Sequence, residues 1–135
     1  MKIYAEVVVA PDASEAEIES AVKIRAITYF TIRDLGGQLV AMNEWDSAPL
    51  EQLLADPRFL NIEGQKGTHE ELRERMKQAI SLLPPHWLAD GAASGSAHAV
   101  ATRLAEYRAA GADEIVLHGT TTDRLGPLVA AYGRL

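Results

Sequence analysis

Apolar and polar positions alternate two ways along this chain: short apolar runs of strand length, and longer stretches with apolar residues three and four apart. Lys2 to Ala10, KIYAEVVVA, is the clearest strand, with β-branched and aromatic residues closed by Pro11-Asp12. Side chains two apart share a strand face, so Tyr4, Glu6 and Val8 fall on one side and Ile3, Ala5, Val7 and Val9 on the other. The second side is wholly apolar and is expected to pack on helices. Asp12 and Ser14 each precede a glutamate by three residues, a capping box that opens a helix. Ile18, Ala21, Val22, Ala26, Tyr29 and Phe30 carry this helix to about Leu35, where Gly36-Gly37 break or kink it and Gln38 to Met42 resume it. Asn43 to Ala48 read as a polar loop around Trp45, and Ser47 with Pro49 starts a short helix stopped by Asp56-Pro57.

Arg58 to Gly67 has no clear period and is expected to be irregular. Thr68-His69-Glu70-Glu71 is a second capping box, followed at helical spacing by Leu72, Met76, Ala79, Ile80 and Leu83 until Pro84-Pro85 ends the helix. His86 to Asp90 allow one further turn. Gly91 to Gly95 fit either a very short buried strand or a loop. Ser96 is a good N-cap for a helix over Ala97 to Ala110, and Gly111 supplies the left-handed stop. Ile115-Val116-Leu117 is a strand-length apolar run, and His118 to Thr122 leave it as a polar loop. Asp123 is expected to cap a last helix with Pro127 in its first turn and Leu125, Leu128, Val129 and Tyr132 as its apolar face. Strand–helix order thus recurs three times without sequence repetition. A helix joined to a buried strand by a few residues is the unit of parallel α/β folds, which carry their chemistry at the carboxyl ends of the strands.

Composition narrows the function classes. The 135 residues suit a single domain spanning 1–135. A net charge of −6 with scattered Lys and Arg argues against a nucleic-acid partner, since phosphate neutralisation needs clustered cations. There is no cysteine, which excludes disulfides and thiolate chemistry. No apolar run reaches the ~20 residues of a membrane span, and Glu6 interrupts the only apolar segment near the N-terminus. A cytoplasmic protein with no membrane partner is the expectation.

Candidate chemistry is dispersed. His69, His86, His98 and His118 lack metal-ligand spacing, so no metal site is expected. His118 stands apart because it follows a buried run and opens a loop of hydroxyls; it is either a satisfied histidine at a strand end or a polar group facing a pocket. Glu6 lies mid-strand: it occupies a solvated or edge face, or it sits inside a barrel or pocket where a buried carboxylate needs a partner. Ser94, Gly95 and Ser96 precede a helix N-terminus, where backbone N–H groups hold a phosphate or carboxylate, unless the stretch is an ordinary tight connection with a serine cap. Arg25 and Arg33 read as solvated helix charges or anion ligands, and Trp45 and Trp87 as core or interface residues.

The pattern G-S-A-x-A-V-A-x-R-L-A-E-Y-x-x-A-G-A-D-E-I-V-L-H, beginning at Gly95, resembles the C-terminal end of luciferase-like flavin-dependent monooxygenases, a family that includes deazaflavin-dependent oxidoreductases. The stretch YAEVVVAPDASEAEIESAVK resembles their sixth barrel strand with its acidic helix start, and the helical middle resembles the insertion-rich section that follows. The resemblance implies an α/β fold, partially (β/α)8 TIM-barrel-like: the last three strand–helix units, helix-rich with a small parallel sheet. It implies FMN or a deazaflavin coenzyme and a small-molecule substrate at the strand ends, with Glu6, Ser94, Gly95, Ser96, His118, Thr120 and Thr121 as cofactor or substrate contacts; the acid or base is unknown. The implied chain is the C-terminal portion or a split subunit of such an oxidoreductase, active with an N-terminal barrel partner or as a homo-oligomer rather than as a lone monomer. The alternative is a non-catalytic α/β oligomerisation module derived from that barrel.

Overall fold

A computed structural model describes every residue from Met1 to Leu135. In chain order the elements are β1 (Tyr4–Pro11), α1 (Glu15–Ile18), a π-helical turn (Glu19–Lys23), α2 (Ile24–Phe30), α3 (Arg33–Met42), α4 (Ala48–Ala55) and a 3-10 turn (Ile62–Gly64). They continue with α5 (His69–Ile80), α6 (Pro85–Asp90), β2 (Ala92–Gly95), α7 (Ala97–Ala109), β3 (Glu114–His118) and α8 (Thr122–Tyr132). Within the stretch read above as one domain the chain gathers into two compact units, Met1–Val22 with Ala89–Leu135, and Lys23–Leu88. No helix is long and apolar enough to cross a membrane.

The first unit is built on a parallel sheet of order β2-β1-β3. Val8 pairs with Ala92 and Pro11 with Gly95 on one side of β1, while Tyr4 pairs with Glu114 and Val8 with His118 on the other. The alternation in β1 works as the pattern predicts. Val7 and Val9 are buried with Ala93, Val100, Ala101, Leu104, Leu128 and Ala131, so α7 and α8 cover that face. On the opposite face Ala10, Val22 and Ala92 bury one another beside Val8 and Ile18, so α1 and the π turn cover the carboxyl-end part. The rest of that face stays open, with Tyr4 57% and Val116 48% exposed.

This is the small parallel α/β sheet that was expected, but its strand order is not that of three successive barrel units. Consecutive barrel strands are neighbours, with every helix outside; here β1 stands between β2 and β3, and helices lie on both faces. Short apolar runs do not encode which neighbour each strand takes. The Gly91–Gly95 ambiguity resolves as a strand, β2. Pro127 falls well inside α8, whose N-cap is Thr121 rather than Asp123.

The second unit is helical. Its core joins Ile27 and Phe30 from α2, Val40 from α3, Leu50 and Leu53 from α4, Ile62, Ala79 from α5, and Trp87 and Leu88 from α6. Trp45 and Trp87 stack with ring centroids 4.9 Å apart at 9°, and Phe30 lies 5.5 Å from Trp87. The helix expected to run to Leu35 ends instead at Phe30, and the Gly36-Gly37 break is displaced: both glycines lie inside α3. Ile32 is extended, which breaks the run, and a Cβ on Gly36 would meet the Phe30 carbonyl oxygen at 2.6 Å. Gly36 therefore serves close approach of α3 to the end of α2 rather than helix termination. The Thr68 capping box forms as its spacing predicts, the Thr68 Oγ1 accepting from Glu71 N at 3.2 Å and the Glu71 carboxylate from Thr68 N at 2.8 Å.

Candidate functional site

Three turns leave the carboxyl ends of the strands: residues 12–14 after β1, Ser96 after β2, and Gly119 to Thr121 after β3. The chain departs β1 toward one face of the sheet, into α1, and departs β3 toward the other, into α8. Connections that part in this way open a crevice between adjacent strand ends, the usual ligand position in open α/β sheets. A cleft of about 260 Å³ lies there, lined by Ala10, Ala13, Glu17, Ser20 and Ala21 on the β1–α1 side and by Gly119, Thr120, Thr121 and Arg124 on the β3–α8 side.

Each wall follows from local chemistry. Ser14 caps α1: its Oγ accepts from Glu17 N at 3.3 Å, and the Glu17 carboxylate accepts from Ser14 N at 2.8 Å. That box points the Glu17 carboxylate back to the strand end, where Arg124 Nη2 meets Oε1 at 2.7 Å. Gly119 has φ +92°, and a Cβ there would lie 2.8 Å from Val8 Cγ1, so only glycine lets the turn after β3 lie against β1. The Thr121 side-chain hydrogen bond holds the Asp123 carboxyl below the usual carboxylate range.

The hydrogen bonds from the Ser14 backbone and hydroxyl, followed by that from Arg124, pull the Glu17 pKa from 4.5 down to about 2. A carboxylate with a depressed folded-state pKa stabilises the fold above its unfolded pKa and loses that contribution as the folded form takes up its proton. The Glu17 contribution is therefore complete above pH 4.5 and fades as pH falls toward 2. Thermal melts across this window should show Glu17→Gln with a flatter acid limb than wild type; an identical acid limb would contradict the assignment.

The expected site residues separate into three places. Thr120 and Thr121 line the cleft. Ser94, Gly95 and Ser96 end β2, on the far side of β1 from β3, and do not line it. Ser96 Oγ accepts from Ala99 N at 3.1 Å as the cap of α7, and the Gly95 carbonyl accepts from Asp12 N at 2.7 Å. Glu6 and His118 share the open sheet face, with His118 Nε2 3.5 Å from Glu6 Oε1. The pocket reading of Glu6 is corrected: its side chain is 71% exposed, because nothing covers that part of the face. His118 belongs to β3 itself, opposite Val8, so the polar loop begins at Gly119.

The residues missed in the sequence are Glu17 and Arg124. The Ser14–Glu17 box announces the position of Glu17, but its partner lies 107 residues away. Two larger grooves lack converging polar groups at strand ends: one of about 460 Å³ beside β3 and α8, and one of about 540 Å³ along α5 in the second unit. No group of three or more His, Asp or Glu stands close enough to hold a metal ion. No protein-family model matches the chain, and no curated protein or solved structure matches it either.

Proposed function

We propose that this chain binds the phosphate-bearing end of a flavin-type cofactor, FMN or a deazaflavin coenzyme, in the cleft between the ends of β1 and β3. Under this reading it is an oxidoreductase-related chain, the C-terminal portion or a split subunit of a luciferase-like monooxygenase acting on a small molecule. The observation that carries the reading is the cleft's place at the parting of α1 and α8, with a guanidinium, two threonines and a glycine turn around it. The resemblance of the motif from Gly95 is what supports the choice of family.

The donor set suits a phosphate. Arg124 offers a forked cation, Thr120 offers a hydroxyl, Thr121 offers a second once it leaves Asp123, and the turn at Gly119 leads into the N-terminal end of α8. Glu17 opposes an anion and holds Arg124, so binding requires Arg124 to exchange the carboxylate for the ligand. The volume is below the ~300 Å³ of common small-molecule pockets, so the cleft takes the polar tail and leaves the tricyclic ring outside it. The cofactor supplies redox chemistry when bound; the cleft's own residues bind and orient.

Absorbance titration of the purified chain with FMN and with a deazaflavin tests this. One of them should bind with micromolar affinity. Arg124→Ala should weaken that binding by about 10- to 100-fold, the range of a charge-assisted hydrogen bond of about 1.5–3 kcal/mol. Glu17→Gln should tighten it by releasing Arg124. Absence of micromolar binding of either cofactor, or binding indifferent to Arg124→Ala, would overturn the proposal.

A further inference from the structure

β3 is an edge strand, its side away from β1 unpaired, and unpaired edges are templates for a further strand. Its sequence, Glu114-Ile115-Val116-Leu117-His118, is complementary to itself when reversed about Val116. We propose that two copies of the chain associate through β3, antiparallel about a two-fold axis at Val116.

In that register Glu114 of one copy stands opposite His118 of the second, and Ile115 stands opposite Leu117. Val116 meets its own equivalent. Directly opposite residues share a sheet face, and the faces agree. Glu114, Val116 and His118 lie on the open face with Tyr4 and Glu6, whereas Ile115 and Leu117 lie on the face buried under α7 and α8. Across the seam the open face then sets each carboxylate beside an ammonium or an imidazole: Lys2 bonded to Glu114 at 2.7 Å within one copy, Glu114 against His118 of the second, and His118 beside its own Glu6. Parallel pairing in register would instead set Glu114 against Glu114 and His118 against His118. That self-complementary pairing of carboxylate with imidazole selects a second copy in antiparallel orientation as the occupant.

The groove of about 460 Å³ behind β3 supports the same axis. Its floor includes Ile115 and Leu117, and its α8 wall carries Val129, 60% exposed. A two-fold axis normal to the sheet keeps the α8 helices of both copies on one side and brings the two grooves together over the seam. The interface is isologous, so it closes at two copies. It requires no cofactor and stands whether or not the cleft binds one.

The absence of cysteine makes cross-linking a clean test. Val116→Cys places two thiols directly opposite, at a Cα separation of about 4.5–5.5 Å, within disulfide reach. Mild oxidation should convert this variant to a covalent dimer. Met42→Cys, at an 82% exposed position in the other unit, should stay monomeric. In sedimentation at micromolar concentrations the wild type should dimerise, and Val116→Lys, which opposes two cations at the axis, should lose the dimer with its circular dichroism unchanged. A monomeric wild type would overturn the proposal, and so would Val116→Cys cross-linking no faster than Met42→Cys.

Discussion

Trp87→Ala lowers stability by about 3–5 kcal/mol, the range for removing a buried large aromatic from a packed core. Trp87 is 2% exposed and belongs to the second unit's aromatic group with Trp45 and Phe30. Its indole stacks on Trp45 and packs against Phe30, so alanine removes burial and two ring contacts together. The surroundings have little freedom to collapse into the gap, because Leu53, Ile62 and Ala79 in the same cluster are fully buried. Both tryptophans of the chain lie in residues 23–88, so fluorescence excited selectively at tryptophan reports this unit alone and follows the loss through Trp45. Urea unfolding monitored by that fluorescence measures the change. Trp87→Phe, which keeps a ring, should retain a substantial part of the stability. A Trp87→Ala loss below about 1 kcal/mol, ordinary for surface substitutions, would contradict this packing.

Gly119→Val is the second large effect, in the other unit. Two costs combine. The backbone at φ +92° is one that side chains rarely adopt, and holding a residue in such a region costs about 1–3 kcal/mol. The new Cβ would also stand 2.8 Å from Val8 Cγ1 and 3.4 Å from the Val9 carbonyl oxygen, an overpacking that costs typically about 1–3 kcal/mol. Val8 is β-branched and has little rotamer freedom with which to yield. The expected loss is therefore about 2–6 kcal/mol, the sum of these two ranges, read by urea unfolding followed by far-UV circular dichroism. Gly111→Ala separates the two costs: Gly111 has φ +108°, but a Cβ added to it would meet no atom within 4 Å, so it carries the backbone cost alone. Equal losses at the two positions would show that the turn after β3 does not press on β1.

The elements legible in the sequence were those fixed by near neighbours. β1 is readable because strict alternation sorts Val7 and Val9 from Tyr4 and Glu6 within one strand. α5 and α7 are readable because Thr68 and Ser96 cap within three residues of themselves. What distant parts of the chain decide was not legible. The order β2-β1-β3 depends on which edge of β1 each later strand takes, and Ala92–Gly95 and Glu114–His118 carry no mark of that choice. The role of Gly36 appears only once the Phe30 carbonyl is beside it. The candidate site divides the same way: Thr120 and Thr121 follow from a polar turn after an apolar run, whereas Arg124 acquires its meaning from Glu17 at the other end of the unit.

Where a ligand binds is answered most directly by backbone amide NMR during titration with FMN or a deazaflavin. The predicted result is saturable shifts concentrated at Ala13, Gly119, Thr120, Thr121 and Arg124, which line the cleft. Saturable shifts centred instead on Ser94 to Ser96 or within residues 23–88, or no saturable shifts at all, would contradict it.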